Sequence, residues 1–383
     1  MREDWDIRLF KDVFDLQMGK TPDRKNFSLF EGDNTWVSIK DLDGKYISSS
    51  KECISDEAAK NIKLVKRGTV IMSFKLTVGK TAIAGKDLYT NEAIMAFNLR
   101  NGYDIDASFL YYYLKNYRWE GSNKAVMGIT LNKATISKHK IAIPPKPTQL
   151  SIVSELDKLN ELIRIKKEQL KDYDTLAQSI FYEMFGDPVE NEKGWEVKKF
   201  GEIGTLERGA GISKKDFVDD GLPCIHYGQL HTTFGAYTRK NITFIPKDLL
   251  PKYKIAHSGD LILAITSEDV EGSCKSTAWL GDYDVVVGSD AAIFHHNQNG
   301  IYLSYYTRTK AFYNEKAKYA KGFKVTHIST KEIASISICI PPISIQNTFA
   351  NKIEQIEKQK AIIQKIIMDL ETLLASRMQY WFD

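Results

Sequence analysis

The second half of this chain repeats the first half, and the repeat has the length of a whole domain. The copies begin at Trp5 with WDIRLFKDVFDLQMGK and at Trp195 with WEVKKFGEIGTLERGA, which align over sixteen residues without a gap. They also end alike, with KIAIPP and SICIPP placed 197 positions apart. Solenoid repeats have periods of about 20 to 50 residues, so this period predicts a duplicated domain.

A long, charged segment rich in Leu and Ile follows each copy, and its apolar residues recur at alternating steps of four and three. This heptad spacing predicts a long helix with one narrow apolar seam. Gly186 and Pro188 predict that the first helix ends near Phe185. Lys166 and Lys360 interrupt the two seams, where a polar group can set the register. The predicted seam residues are Leu156, Leu159, Ile163, Leu170 and Tyr173 in the first helix and Ile353, Ile356, Ile363, Ile367 and Leu370 in the second.

A narrow seam predicts a helix as its partner, and the other copy is the obvious candidate. We expect the two helices to pair as an antiparallel coiled coil with internal pseudo-twofold symmetry. Parallel pairing in a homodimer, or two helices docked separately on their own domains, remain the alternatives. At 1.5 Å per residue, each helix should span on the order of 55 Å.

The segments before the helices read as strand-rich domains, so the predicted fold class is α+β. Apolar runs predict strands within 37–42, 68–75 and 93–99 in the first half, and within 223–230, 259–266 and 285–296 in the second. Helices are predicted at 108–117 and 302–313, each with several tyrosines, which favour core packing over a base-stacking platform. The predicted domains are 1–147 and 188–343, with helical segments at 148–187 and 344–383.

Polar, glycine-containing loops with basic residues connect these elements, and such loops commonly carry recognition groups. Lysine and arginine can neutralise phosphates, whereas Gln, Ser, Thr and Arg can contact base edges. The net charge of +4 is weak evidence for nucleic acid taken alone. The candidate DNA-binding residues are Lys20, Thr21, Arg24, Lys25, Lys40, Lys75, Lys80, Lys124, Arg208, Lys214, Lys215, Gln229, Ser267, Lys275, Lys321 and Lys324.

Catalytic and metal-binding patterns are missing from the sequence. It contains no GxxxxGK[ST], no HExxH, no CxxC pair and no Asn-Pro-Pro-Tyr-like tetrad for amino-group methylation. The four cysteines are isolated and predicted to be buried thiols, and His295-His296 should point to opposite faces of a strand. The first residues are charged and no run of eighteen apolar residues occurs, which predicts a cytoplasmic chain without membrane insertion or secretion. The sequence therefore favours binding over catalysis.

The ordered set of motifs resembles the specificity subunit of type I DNA restriction-modification systems. The resemblance covers essentially the whole chain. It includes the W-x5-F starts, the Leu-x-x-Gly that follows at Gly19 and Gly209, the IPP exits with Gln149 and Gln346 just beyond, and the two terminal helices. No single motif is diagnostic, but their repetition in the same order is specific.

In that family the globular parts are target recognition domains, and the helices hold them apart and bind the modification subunits. The resemblance implies that each domain reads one half of a bipartite double-stranded DNA target. It also implies partners: two modification methyltransferase subunits and restriction/translocase subunits. S-adenosylmethionine, ATP and Mg are expected on those partners, with no cofactor, metal or catalytic residue in this chain.

Two other classes of protein also fit parts of this sequence. A coiled-coil scaffold that presents two related domains to a partner other than DNA would also explain the helices and the duplication. A self-contained methyltransferase or nuclease would need a cofactor or metal site that the sequence does not offer.

Overall fold

The computed structural model describes residues 5–119, 131–209, 211–247, 253–320 and 325–383, and the backbone of two short strands at 124–125 and 128–129. The chain divides into two compact units, Met1–Lys167 with Lys365–Asp383 and Glu168–Gln364. Each unit contains one globular half and part of both long helices. Since this division passes through both helices, the domain boundaries at residues 147, 187 and 343 stay a prediction.

The first unit is built from short strands around a five-stranded sheet. Its helices are α1 (Phe10–Val13), α2 (Asp56–Ala59), α3 (Ala107–Asn116), α4 (Lys133–Lys138) and the first part of α5 (Lys146–Phe185). Its strands are β1 (Asp6–Leu9), β2 (Phe14–Met18), β3 (Asn34–Val37), β4 (Tyr46–Ile47), β5 (Glu52–Ile54), β6 (Val70–Ser73), β7 (Thr81–Ala84), β8 (Tyr89–Thr90), β9 (Ile94–Leu99), β10 (Lys124–Ala125), β11 (Gly128–Ile129) and β12 (Lys140–Ile143).

The second unit repeats this plan. Its helices are α6 (Phe200–Ile203), α7 (Tyr227–Thr232), α8 (Gly300–Tyr306), α9 (Lys310–Ala317), α10 (Thr330–Ala334) and the first part of α11 (Ile343–Phe382). Its strands are β13 (Glu196–Lys199), β14 (Gly204–Arg208), β15 (Leu222–Ile225), β16 (Tyr237–Thr238), β17 (Thr243–Ile245), β18 (Lys254–Ala256), β19 (Leu261–Ala264), β20 (Thr266–Ser267), β21 (Ser276–Trp279), β22 (Val285–Val287), β23 (Ala291–His296), β24 (Thr326–His327) and β25 (Ser337–Ile340).

The central sheets of the two units have the same strand order. The first is β2-β9-β6-β7-β4 and the second is β14-β23-β19-β21-β16. In each, the outer strand (β4 or β16) runs parallel to its neighbour and the other neighbours are antiparallel. The strand after the opening tryptophan pairs with the strand that precedes the long helix, as β1 with β12 and β13 with β25. The predicted α+β class and the duplication are therefore confirmed at the level of strand order.

Aromatic side chains fill the space between each sheet and its helices. In the first unit the Phe97 ring lies 5.8 Å from that of Phe10 and 5.6 Å from that of Phe14, centroid to centroid. In the second unit Phe200 and Phe294 lie 4.8 Å apart. Each ring is almost completely buried. The tyrosines of α3 are also buried in this layer, as the core-packing interpretation predicted.

Four predicted elements are wrong in detail, and local capping interrupts three of them. The strand predicted over 37–42 ends at Val37, where Ser38 and Asp41 form a capping box for a short 3-10 helix. The strand predicted over 223–230 ends at Ile225, and His226 then caps α7. The helix predicted over 302–313 is two helices, since Thr309 accepts a hydrogen bond from Phe312 N and starts α9. The fourth element, the apolar run at 285–296, forms two strands, β22 and β23.

The long helices α5 and α11 have 40 residues each. Helix α5 ends at Phe185, as predicted, and Gly186 follows with a φ of +75°. The residues of the predicted seam are all buried or half-buried, whereas most positions between them are exposed.

Ion pairs and ring contacts show how the helix segments run within each unit. In the first unit Glu155 contacts Arg377 and Trp381, and Lys167 contacts Glu371 with 2.7 Å between Nζ and Oε1. The partner numbers fall as the α5 numbers rise, so the segments run antiparallel.

The same direction holds inside the second unit. Lys360 Nζ lies 2.7 Å from Asp174 Oδ1, and the Phe349 ring packs against Phe181 and Phe185 at 5.6 and 5.3 Å. Lys360, the polar residue of the second seam, is thus neutralised by a carboxylate on α5. The pKa of Lys360 is raised, since its bonds to Asp174 and Glu357 outweigh the largest single effect, burial, which lowers it.

Candidate nucleic-acid interface

The predicted DNA-binding loops of the second unit lie along one edge of its central sheet. The register pairs Arg208, the last residue of β14, with Ala292, and Ala264, the last residue of β19, with Ala291. The loops after β14 and β19 and the loop before β23 therefore meet at the same edge. Most of the second unit's candidates lie in these loops or at their ends.

Arg208 is oriented by the loop that precedes β23. Its Nε donates to the Ser289 carbonyl at 2.8 Å, and its Nη2 lies 3.7 Å from Asp290 Oδ1. The guanidinium remains exposed. Such an arginine is held in one place while part of its donor set faces solvent, which suits contact with a phosphate or a base edge.

Two other candidates of this unit have structural hydrogen bonds. Lys275 Nζ donates to the His231 carbonyl at 2.8 Å. The Gln229 amide is buried, accepts from His226 N at 2.9 Å and donates to Thr243 Oγ1 at 3.0 Å. Burial, aided by the charge of Lys214, also lowers the pKa of His226. A direct base contact by Gln229 would have to replace its capping bonds.

The remaining second-unit candidates that the structure describes are accessible. Lys214 and Lys215 are exposed on a 3-10 helix that Ser213 and Asp216 cap. Ser267 is half-buried in β20, which pairs with β24. Lys321 and Lys324 lie outside the described residues.

The first unit places its candidates in the equivalent region. Met18, the end of β2, pairs with Met95, and Ser73, the end of β6, pairs with Ile94. The loops after β2 and β6 therefore share one edge. Lys20, Lys25, Lys40 and Lys80 are exposed there or in the adjoining 3-10 turn, and Lys75 is half-buried. The side chain of Lys124, in strand β10, lies outside the described residues.

Arg24 is held by a carboxylate and by two aromatic rings. Its two terminal nitrogens contact the Glu52 carboxylate at 2.6 and 2.9 Å, and its guanidinium carbon lies 4.4 Å from the Phe30 ring centroid and 5.0 Å from that of Trp36. The bond to Arg24 lowers the pKa of Glu52. The Thr21 hydroxyl likewise has an acidic partner and donates a hydrogen bond to the Glu92 carboxylate. The sequence interpretation missed these acidic partners because they lie 28 and 71 residues away along the chain.

The glycines that open these loops allow a close approach of backbone to backbone. A Cβ on Gly19 would lie 2.1 Å from the Thr90 carbonyl oxygen, and a Cβ on Gly209 would lie 2.1 Å from that of Gly288. Any other residue would clash with the backbone at the end of β8 in the first half and just after β22 in the second. The Leu-x-x-Gly motif thus has the same steric role in both halves.

Lys316 is a further residue that the sequence analysis did not single out. Its side chain is 4 % exposed, and its Nζ donates to the carbonyls of Glu271 at 2.9 Å and Ser273 at 2.6 Å. Burial lowers the pKa of Lys316. Lys316, on α9, therefore holds the loop between β20 and β21 in place. In the sequence, its spacing of four residues from Phe312 was the signal that its side chain could lie on the buried face of a helix.

Among the described residues, no group of three or more His, Cys, Asp or Glu side chains could hold a metal ion. Cys224, Cys274 and Cys339 are buried free thiols, and Cys53 is half-buried. No helix in the described ranges is long and apolar enough to cross a membrane.

Curated relatives align with almost the whole chain and with most of their own length. The type I restriction enzyme MjaIX specificity subunit of Methanocaldococcus jannaschii is 24% identical over 97% of this chain and 91% of its own length. The MjaVIII specificity subunit of the same organism is 23% identical over 97% and 92%.

Solved structures show the same fold. A chain from a study of complex assembly and conformational transition of the type I R-M system has a TM-score of 0.63 at 18% identity, covering 100% of this chain and 98% of that one. The type I restriction-modification S subunit from M. genitalium has a TM-score of 0.53 at 13% identity, covering 99% and 96%.

A family model described as the type I restriction modification DNA specificity domain matches the chain twice, over residues 2–172 and 192–372. Both matches begin beside an opening tryptophan and reach into a long helix. Because they cover most of both halves, the chain belongs to the type I restriction-modification DNA specificity family, with one specificity domain in each half.

Proposed function

We propose that the two recognition domains read the two halves of a bipartite, asymmetric DNA target. The observation that carries this proposal is the pair of central sheets with one strand order, whose corresponding edges carry loops of different sequence. Matched frames present the loops alike, whereas different loops give different base preferences. Exposed cations on these edges would contact phosphates, and polar groups would contact base edges in the major groove.

In this proposal the long helices set the distance between the half-sites. The antiparallel course of the helix segments inside each unit supports one continuous antiparallel pair with an approximate twofold axis. Forty residues correspond to about 60 Å of helix. Half-sites on one face of B-DNA recur about every 34 Å, which is within that length.

The helices also serve as the docking surface for the modification subunits. Leu162 and Ile165 on α5 and Ile362 and Met368 on α11 are apolar, yet between 43% and 60% exposed. Exposed apolar side chains on a helix suit a protein partner. Two methyltransferase subunits would bind, one for each repeat, and restriction/translocase subunits would join them in the cytoplasm.

The chain itself would be non-catalytic. Partner subunits would bind S-adenosylmethionine, ATP and Mg, flip the target base out of the duplex and carry out methylation and cleavage. Binding of DNA by the assembled complex should weaken steeply as salt rises, because phosphate contacts release counterions.

Methylation sequencing of the source cell, with the gene intact and then deleted, tests this function. We expect one bipartite methylated motif to disappear on deletion and to return when the gene is restored. Restoration with a copy that carries an early stop codon is the control. A methylome that keeps every bipartite motif after deletion would contradict the proposal.

A further inference from the structure

A buried glutamine attaches each long helix to its own globular half. In the first unit Gln149 Oε1 accepts from Asp106 N at 2.8 Å, and Nε2 donates to the Pro144 carbonyl at 2.9 Å. Gln346 forms the same pair of bonds in the second unit, with Asn299 N at 2.9 Å and with the carbonyl of the first proline in its Pro-Pro pair at 2.8 Å. The two glutamines are 1% and 0% exposed. Each joins the start of a helix to the N-cap of a helix in the domain.

A second contact lies eight residues further along each helix, which is about 12 Å. Lys45 Nζ lies 2.6 and 2.7 Å from the two Asp157 oxygens, and Tyr112 OH also donates to Asp157. In the second unit Arg239 Nη2 donates to Glu354 Oε1 at 2.8 Å. Asp157 and Glu354 occupy the same position of the repeat, 197 residues apart.

The two cations lie at opposite ends of the equivalent outer strand. Lys45 immediately precedes β4 and Arg239 immediately follows β16, the outer strands of the two central sheets. The loops of the candidate interface leave the same sheets at β2 and β14. Each helix is thus connected through one sheet to the interface loops.

Two attachment points determine an angle, whereas one point allows rotation about it. Between the two points, Ile152 and Leu156 of α5 and Phe349 and Ile353 of α11 also pack into the domain cores. Apolar burial is non-directional, so it holds helix and domain together without selecting one tilt as strictly as a paired charge does. The cation and carboxylate two turns away oppose a change of tilt. A change of tilt would move the interface loops along the direction of the helix.

We propose that Lys45–Asp157 and Arg239–Glu354 are positioning contacts that fix the tilt of each recognition domain and so restrict the spacer length that the protein accepts. This inference rests on the proposed function. It concerns how strictly the protein rejects other spacer lengths. The preferred spacer length itself is set by the length of the helices.

The two contacts are unequal. The Lys45 side chain is 19% exposed and contacts both carboxylate oxygens, whereas the Arg239 side chain is 55% exposed and contacts one. Burial and the bond to Asp157 also raise the pKa of Tyr112, so its hydroxyl stays a donor over the physiological range. The first contact should therefore contribute more to spacer choice than the second.

The test uses the complete complex with its methyltransferase subunits. Methylation rates are measured on duplexes with the native spacer and with spacers one base pair shorter and longer. For Lys45→Met and for Asp157→Asn, we expect a native-spacer rate within about twofold of wild type. The ratio of the methylation rate on the native spacer to the rate on an altered spacer should fall by roughly fivefold, which is the most that one partly exposed ion pair contributes. The double variant should fall no further, since both changes remove one contact.

Two matched variants distinguish a positioning role of the Lys45–Asp157 contact from the general effect of removing any ion pair. Lys66→Met removes the Lys66–Asp87 pair, which has an Nζ to Oδ2 distance of 2.9 Å and lies within the globular part. It should leave the spacer ratio unchanged, and Lys45→Arg should restore most of the ratio that Lys45→Met loses.

The inference is overturned if Lys45→Met and Asp157→Asn methylate the native site with an unchanged spacer ratio. Loss of native-site methylation in both variants would overturn it too, because the contact would then support folding rather than spacer choice. Failure of the proposed function would be recognised separately, since the wild-type complex would then methylate no bipartite site.

Discussion

Gln229 and Lys316 show how the surroundings of a polar side chain decide its role. Gln229 lies in a segment that the sequence predicts to contact DNA, but its amide completes the cap of α7. Lys316 has no motif around it in the sequence, yet its buried ammonium donates hydrogen bonds to two loop carbonyls. Residue type indicates which bonds a side chain can form, whereas its neighbours in space decide which it forms.

His296 allows a pH prediction at the residue scale. Burial lowers its pKa to about 4, against roughly 6.5 in an unfolded chain. Between these values the unfolded chain binds a proton that the folded chain does not, so stability falls as pH falls through this window. From pH 7 to pH 5, we expect His296 to account for a loss of roughly 2 kcal/mol in the free energy of unfolding. Urea titrations of wild type and His296→Gln at both pH values measure the difference.

His257 provides a control of opposite sign. The bond to Asp284 raises its pKa, so it contributes stability at low pH that is lost as pH rises. His257→Gln should therefore steepen the acid loss slightly, while His296→Gln flattens it. Equal pH dependence in wild type and His296→Gln would refute the prediction.

At the scale of elements, hydrophobic periodicity predicted the long helices well but did not predict where side-chain caps interrupt shorter elements. The heptad spacing identified both long helices, and Gly186 indicated the end of α5, because these signals are local. Two predictions were wrong for another reason: the strand over 37–42 and the single helix over 302–313. Apolar residues continue through both segments, but a side-chain cap turns the backbone in each.

Lengthening the helix pair tests its role in setting the spacer. One heptad inserted after Lys167 and another after Gln364 keeps both seams and adds about 10 Å, or roughly three base pairs. We expect the methylated motif to keep both half-sites and to gain a longer spacer, as read by methylation sequencing. A heptad in only one helix is the control and should abolish methylation, because the seams would no longer match. An unchanged spacer in the doubly extended variant would rule against this role.

At the scale of the whole molecule, the duplication predicts that the two proposed half-sites are read independently. Each unit has its own sheet, its own core and its own glutamine anchor. The loops at the two candidate edges differ at most positions, although Lys25 and Lys215, and Phe27 and Phe217, stand at the same spacing from the opening glycines. Specificity should therefore be exchangeable one half at a time.

Replacing residues 19–117 with the corresponding segment of another family member tests this independence. We expect the half-site read by the first unit to change and the other half-site and the spacer to stay as they were, as measured by methylation sequencing. The reciprocal exchange in the second unit is the matched control. A change in both half-sites after the first exchange would exclude modular reading.

The sequence by itself determined the duplication, the α+β class, the long helices and the family, since repeats and periodicity are recorded in the order of residues. It also indicated the loops that the sheets bring together at one edge. Only the tertiary structure decided which side chains are held there by Glu52, Asp290 or a backbone carbonyl. It alone identified Lys45 with Asp157 and Arg239 with Glu354 as attachments, because these partners are more than a hundred residues apart and chain folding brings them together.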